Sequence, residues 1–297
     1  MAPIDDFRDV PPFRVVEAPF QRVPFVFNSP HSGRVYPRRF LAMTRLDAEA
    51  IRRSEDCLVD ELFAGAAAEL GAPMLAADFP RAYLDVNREP WELDPRMFSE
   101  PLPAFANIRS PRVAGGLGTI PKLVGEGMEI YGRRLPLAEA MDRVEHIYKP
   151  YHECLKRLVT RTHARFGHAV LIDCHSMPAS IRLGEGGVRP DFIVGDRFGA
   201  SASAGLSAHA IRLLSSLGYK VAHNKPYAGG FITEHYGRPA RGLHALQIEV
   251  NRGLYMDEKS YRRTSRFAAL ANDLTRFATA LATLPVQSDR PMPLAAE

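Results

Sequence analysis

Two histidines follow short apolar runs. His31 lies in Asn28-Ser29-Pro30-His31-Ser32-Gly33, just past Val23 to Asn28, and His175 lies in Asp173-Cys174-His175-Ser176, just past Ala169 to Asp173. An imidazole among small residues at a strand end can reach a ligand without crowding. Asp173 shares a face with His175 and can orient its ring. A third cluster is Gln247-Ile248-Glu249-Val250-Asn251-Arg252, with Gln247 and Glu249 on one face and the apolar residues on the other. A carboxylate in such a strand needs a reason, because burying it unpaired is costly. The fourth cluster runs from Arg81 to Arg88, with Arg81, Tyr83, Asp85 and Asn87 alternating with apolar partners. Its arginine forks suit carboxylates.

Two imidazoles, a spare carboxylate and carboxylate-binding arginines are the parts needed for zinc-dependent amide hydrolysis. Catalytic zinc takes three protein ligands, His or carboxylate, and keeps a position for water. A nearby Glu can move the proton from that water to the leaving amine. Spacing alone also allows plainer roles. Arg81, Asp85 and Arg88 can form a structural ion network, and Glu249 can pair with Arg252. His146, His152, His163 and His209 read as helix-surface residues, and His168, His223 and His244 as structural residues at strand ends. His235 lies in a Gly-flanked loop without an assigned role. No H-E-x-x-H is present.

These residues need a scaffold, and the periodicity outlines one. Val23 to Asn28, Pro73 to Ala77, Ala82 to Val86, Ala169 to Asp173, Asp191 to Gly195, Tyr219 to Ala222 and Ala245 to Val250 read as strands. Leu46 to Leu70 carries one apolar helical face through Ile51, Leu58, Val59, Leu62, Phe63 and Ala66. Leu137 to Phe166 reads as a long helix with a bend at Pro150, Ala202 to Leu217 as a shorter one, and Glu258 to Leu284 as a last helix stopped by Pro285. Residues 89–135 hold six prolines and six glycines with little periodicity, a long excursion suited to shaping a binding site. The alternation predicts an α/β fold with helices on both faces of a mixed sheet. In such sheets ligands bind beyond the carboxyl ends of the strands.

Length and composition set outer limits. The chain has 297 residues, 46% hydrophobic and 24% charged, enough apolar material to offset chain entropy. A net charge of +4 with scattered arginine pairs gives no basic tract for nucleic acid. Cys57, Cys154 and Cys174 include no C-x-x-C pair and suit a reducing cytoplasm. The first residues carry acids and prolines rather than a basic, then apolar, export signal. No apolar run is long enough to span a membrane.

The clusters, in order, resemble the N-formylglutamate amidohydrolase family. The matching stretches are SPHSG (29–33), SEDCLVDEL (54–62), PRAYLDVNR (80–88), DCHSM (173–177), GGFITEHYGRP (229–239) and LQIEVNRGLYMDE (246–258). The resemblance implies a three-layer αβα sandwich around a mixed sheet, similar to zinc carboxypeptidases and aspartoacylases. It implies hydrolysis of N-formyl-L-glutamate to formate and L-glutamate, late in histidine breakdown. By the same resemblance His31 and His175 are zinc ligands, Glu249 is the general base, and Arg81, Asn87 and Arg88 hold substrate carboxylates and polarise the scissile carbonyl. Three residues after His31 stands Arg34, so the carboxylate ligand must come from elsewhere. The resemblance points to Asp56, whereas a helical wheel favours Glu55.

Arg88 is then the residue expected at the oxyanion, with Arg252 beside Arg81 at the carboxylates. Gly229, Gly230 and Thr233 form a loop closing over the substrate, or simply a tight turn. The implied organisation is a terminal extension (1–20), a single catalytic domain (21–285) and a tail (286–297). The same site could instead serve another N-acyl amino acid or a peptide, or the fold could persist as a metal-free binding protein. The expected partner is a small molecule, with no nucleic acid and no membrane.

Overall fold

The computed structural model describes residue 7, residues 10–184 and residues 187–284. Pro285 and the tail at 286–297 lie outside the described residues. In chain order the elements are β1 (Phe13–Val16), β2 (Phe25–Ser29), α1 (Arg38–Met43), α2 (Val59–Leu70), β3 (Met74–Ala77), α3 (Pro111–Ala114), α4 (Leu137–Arg143) and α5 (Lys149–Phe166). There follow β4 (Ala169–Met177), β5 (Phe192–Gly195), α6 (Ala204–Ser216), β6 (Val221–His223), α7 (Phe231–Tyr236), β7 (Leu243–Asn251), β8 (Met256–Asp257), β9 (Arg262–Arg263) and α8 (Phe267–Ala282). Seven strands form one sheet in the order β1-β3-β2-β4-β7-β5-β6, and β8 pairs with β9. β4 runs parallel to β7 and β5 parallel to β6, while β5 runs antiparallel to β7. The sheet is therefore mixed and the fold α/β, as the alternation predicts.

Contacts group the chain into two compact units. The first comprises Met1–Val16, Asn28–Asp60 and Leu75–Lys156. Its interior includes Tyr36, Phe40, Phe79 and Tyr151. There the Arg143 guanidinium, itself buried, lies 3.9 Å from the Tyr83 ring and donates to the Tyr83 carbonyl and the Tyr131 hydroxyl. This cation–π and hydrogen-bonded brace backs the 80–88 segment. The second unit comprises Glu17–Phe27, Glu61–Met74 and Arg157–Glu297. Every residue of β4 is buried, so its apolar members Val170, Leu171 and Ile172 are covered. Helix α6 packs on β5, β6 and α8, and α7 packs on β4 and β7.

Four sequence expectations need correction. The helix expected over 46–70 starts only at Val59. Leu58 before it takes φ 65°, and the Asp56 N–H donates to the His31 carbonyl at 2.9 Å, so residues 54–58 turn away from a helical path. The strand expected over 82–86 is absent. The Pro80 carbonyl accepts from Tyr83 N–H and Leu84 N–H, and the Asn87 N–H bonds the Asp85 carboxylate, which together fold the segment into turns. The last helix begins at Phe267 rather than Glu258, because β8 and β9 pair first. Finally, β4 extends to Met177, so His175 sits within the strand and not after it.

The 137–166 region is helical throughout, with a π-helical turn at Val144–Tyr148 immediately before Pro150. The wide turn leads directly into the segment where a proline cannot donate. The 89–135 excursion is mostly irregular, apart from a 3₁₀ turn at Pro95–Met97 and α3.

Candidate active site

In the first unit the site is built on the chain leaving β2. Ser29 and Ser32 hydroxyls lie 2.7 Å apart, and a Cβ on Gly33 would come within 2.1 Å of the Phe79 carbonyl oxygen. Only glycine permits that approach. The tight passage carries the His31 side chain, which is 1% exposed. Its Nε2 bonds the Asp85 Oδ1 at 2.8 Å, and its Nδ1 lies 3.4 Å from the Asp56 Oδ2. A carboxylate on one ring nitrogen fixes the ring and directs the other nitrogen toward a ligand.

Asp85 has a wider role than ring orientation. It accepts from Arg81 Nε at 2.9 Å and from Asn87 N–H at 2.8 Å, and lies 3.5 Å from Arg88 Nη2. Burial pushes its carboxyl up, but Arg81, Arg88 and His31 outweigh this and hold it well below the usual carboxylate range. Arg88 donates to the carbonyls of Leu117 and Asn87 at 2.7 and 2.8 Å. Burial, against the pull of Asp85, lowers its guanidinium to about 10, so it stays charged at neutral pH. The ion network and the site are thus one structure here: Arg81, Asp85 and Arg88 brace each other and the His31 ring.

Glu55 and Asp56 are neighbours with different surroundings. The Glu55 carboxylate accepts from Arg52 at 2.9 to 3.1 Å, from the Tyr36 hydroxyl at 2.5 Å and from the Cys57 thiol at 2.9 Å. Burial first, then the Glu55 charge, raises the Tyr36 hydroxyl well above its ordinary value, so it remains a donor. Asp56 instead faces His31. Because α2 begins at Val59, the helical wheel that favours Glu55 does not apply at either residue.

In the second unit the site is built on two parallel strands. Asp173 pairs in register with Gln247, and His175 with Glu249. Alternation then puts all four side chains on one face. His175 Nε2 bonds Asp173 Oδ2 at 2.9 Å, the same arrangement as His31 with Asp85. Gln247 donates from Nε2 to Glu249 Oε1 at 2.9 Å and accepts from the Gly230 N–H at 3.0 Å. Thr233, in the first turn of α7, donates to the Gly230 carbonyl at 2.9 Å. Gly229 has φ 121°, and a Cβ there would meet the Thr233 hydroxyl at 2.4 Å. Arg252 follows β7, donates from Nε to the Ser176 hydroxyl at 3.0 Å and lies 4.0 Å from Glu258.

His31, Asp56 and His175 each offer one ligand atom, all buried, and these atoms lie within 4.8 Å of one another. Two nitrogens and a carboxylate oxygen suit zinc. Donors bound at its usual 2.0–2.2 Å in a tetrahedron stand about 3.4 Å apart. The Asp56 to His31 separation of 3.4 Å fits that spacing. Asp85 and Gln247 have no place among the ligand, base and substrate residues read from sequence. For Gln247 the signal was there in alternation, two residues from Glu249 on one face of β7; Asp85 lies in turns, where alternation carries no such signal.

Comparison with known proteins gives a single picture. The sequence model of the N-formylglutamate amidohydrolase family matches residues 23–256. The chain is 30% identical over 243 residues to the N-formylglutamate deformylase of Pseudomonas aeruginosa, covering 80% of this chain and 84% of the relative. It is 33% identical over 195 residues to that of Pseudomonas putida, covering 65% of this chain and 67% of the relative. The crystal structure of N-formylglutamate amidohydrolase from Ralstonia eutropha superposes with TM-score 0.86 at 35% identity, covering 92% of this chain and 98% of that one. A gene product of Agrobacterium tumefaciens shares the fold at TM-score 0.68 and 17% identity, covering 93% and 96%.

Proposed function

Since this chain belongs to the N-formylglutamate amidohydrolase family, and so is a hydrolase of amide bonds, we propose that it cleaves N-formyl-L-glutamate to formate and L-glutamate with a divalent metal, zinc by donor type, held by His31, Asp56 and His175. The observation that carries the metal reading is the buried convergence of those three ligand atoms, with both imidazoles held at Nε2 by aspartates. The substrate reading draws on the deformylase activity named for the Pseudomonas aeruginosa relative, matched over most of both chains.

A metal bound there supplies Lewis acidity, polarising a carbonyl and acidifying water. The chain's own residues do the rest. Glu249 takes a proton from the attacking water as the new C–O bond forms at the formyl carbon. It then delivers that proton to the departing nitrogen as the C–N bond breaks. Arg88, charged and buried, neutralises the developing oxyanion. Arg81, Asn87 and Arg252 hold the glutamate carboxylates, and Gly230 and Thr233 shape the loop over them.

Among the described residues no helix is long and apolar enough to cross a membrane, and Cys57, Cys154 and Cys174 are free. We place the protein in the cytoplasm and in histidine degradation.

The test is a panel of N-formyl and N-acetyl amino acids assayed with zinc, manganese and cobalt, following amine release. N-formyl-L-glutamate should be cleaved well ahead of N-formyl-methionine and N-acetyl-aspartate. Equal or better turnover of another member would overturn the substrate assignment, and equal turnover after metal stripping would overturn the metal.

A further inference from the structure

Gln247 is a buried amide whose two ends are both committed. Its Oε1 accepts the Gly230 N–H at 3.0 Å, and its Nε2 donates to Glu249 Oε1 at 2.9 Å. These bonds fix the amide orientation: a flip would put two donors together at Gly230 and two acceptors together at Glu249. Gln247 is 5% exposed and Glu249 7%, so water does not readily replace either bond. The glycine loop is held on each side. The Ala228 carbonyl accepts from Arg197 N–H at 2.7 Å, and the Gly230 carbonyl from the Thr233 hydroxyl. Asp173, the register partner of Gln247, has a separate task on the neighbouring strand, where it holds His175.

We infer that Gln247 is a positioning residue: its amide sets the direction of the Glu249 carboxylate and ties it to the Gly229–Gly230 loop. The inference rests on Glu249 being the base, as proposed above. A general base must meet its proton at hydrogen-bond distance, and a 1 Å misplacement can cost about 100-fold. The loop assigned to the substrate and the base that deprotonates the attacking water are then placed by one side chain. If the loop shifts, the base shifts with it.

Two substitutions separate the two ends of the amide. Gln247→Glu keeps an acceptor for Gly230 N–H but removes the donor to Glu249. With N-formyl-L-glutamate as probe, kcat should fall about 10- to 100-fold, with KM within about twofold and bound metal unchanged. Gln247→Met removes both bonds at similar volume and should lower kcat and raise KM together. In a Glu249→Asp background, where the base is already displaced, Gln247→Glu should cost much less than in wild type, because residues acting through one another are non-additive. A merely structural glutamine would instead add its full cost. Wild-type kcat in Gln247→Glu, or full additivity with Glu249→Asp, overturns the inference while leaving the proposed function intact. If Gln247→Glu does not fold, Gln247→Met decides alone, and an unchanged kcat there overturns it. Absence of wild-type turnover on any acyl amino acid with metal overturns the proposed function and this inference with it.

Discussion

His175 and Glu249 are register partners across the parallel pair β4–β7, so a candidate metal ligand and a candidate base stand side by side on adjacent buried strands. Each has a polar neighbour two residues back on its own strand, Asp173 for His175 and Gln247 for Glu249. One face of two strands thus carries these four polar side chains in a buried layer, with Asn251 at its end. Their mutual hydrogen bonds offset the cost of burying them.

Metal should stabilise the fold. A ligand that binds only the native state adds about 2.7 kcal/mol at a hundred times its Kd. Chelation should lower Tm, and zinc should restore it in wild type but not in His31→Ala or His175→Ala. Calorimetry across a chelator titration checks this, and an unchanged wild-type Tm would contradict it.

The two adjacent carboxylates should separate cleanly. Asp56→Asn should weaken zinc binding while Tm without metal changes little. Glu55→Gln should lose about 1–3 kcal/mol of stability, because it disturbs the acceptor shared by Arg52 and Tyr36, yet leave zinc affinity near wild type. Competition with a coloured chelator, beside urea unfolding of both metal-free variants, reads the difference.

Asp85 links acid stability to the site. Its folded carboxyl titrates well below its unfolded value, so its stabilising contribution is complete above about pH 4. It disappears as pH falls through the lower, folded value. The stability gap between wild type and Asp85→Asn should be widest at neutral pH and shrink below about pH 4. Removing the charge should also weaken zinc binding about 10- to 100-fold, since Asp85 holds the His31 ring. Urea unfolding between neutral and acid pH, with metal affinity measured at neutral pH, checks both parts.

Gly33→Ala should be severe for its size. The added Cβ would meet the Phe79 carbonyl, which is backbone and cannot swing aside. Overpacking of this kind costs about 1–3 kcal/mol or more, and the shifted loop carries His31. Thermal unfolding and zinc affinity should worsen together.

Much of this was legible in the chain because buried strands announce themselves. The apolar runs that open β2 and β4 are continuous, β7 alternates Gln247 and Glu249 with apolar residues, and the polar residues inside these strands stand out. Alternation misled at 80–88, where polar and apolar residues alternate as in a strand. The Asp85 carboxylate there captures the Asn87 N–H and two arginines, and folds the segment into turns. Periodicity also misled at 46–70, because a helical pattern does not reveal that the Asp56 N–H is taken by the His31 carbonyl, 25 residues earlier. The contact between His31 and Asp85 is likewise non-local, and no spacing rule encodes it. The Gln247 bond to Glu249, by contrast, follows from two residues on one face of one strand.

In the proposed reaction Glu249 moves the proton while a metal on His31, Asp56 and His175 stays in place. Glu249→Gln tests it directly, with metal per chain and formate release measured on the same sample. Metal content should stay at the wild-type level while kcat falls about 100- to 10,000-fold. Near-wild-type formate release from the metal-loaded variant would contradict it.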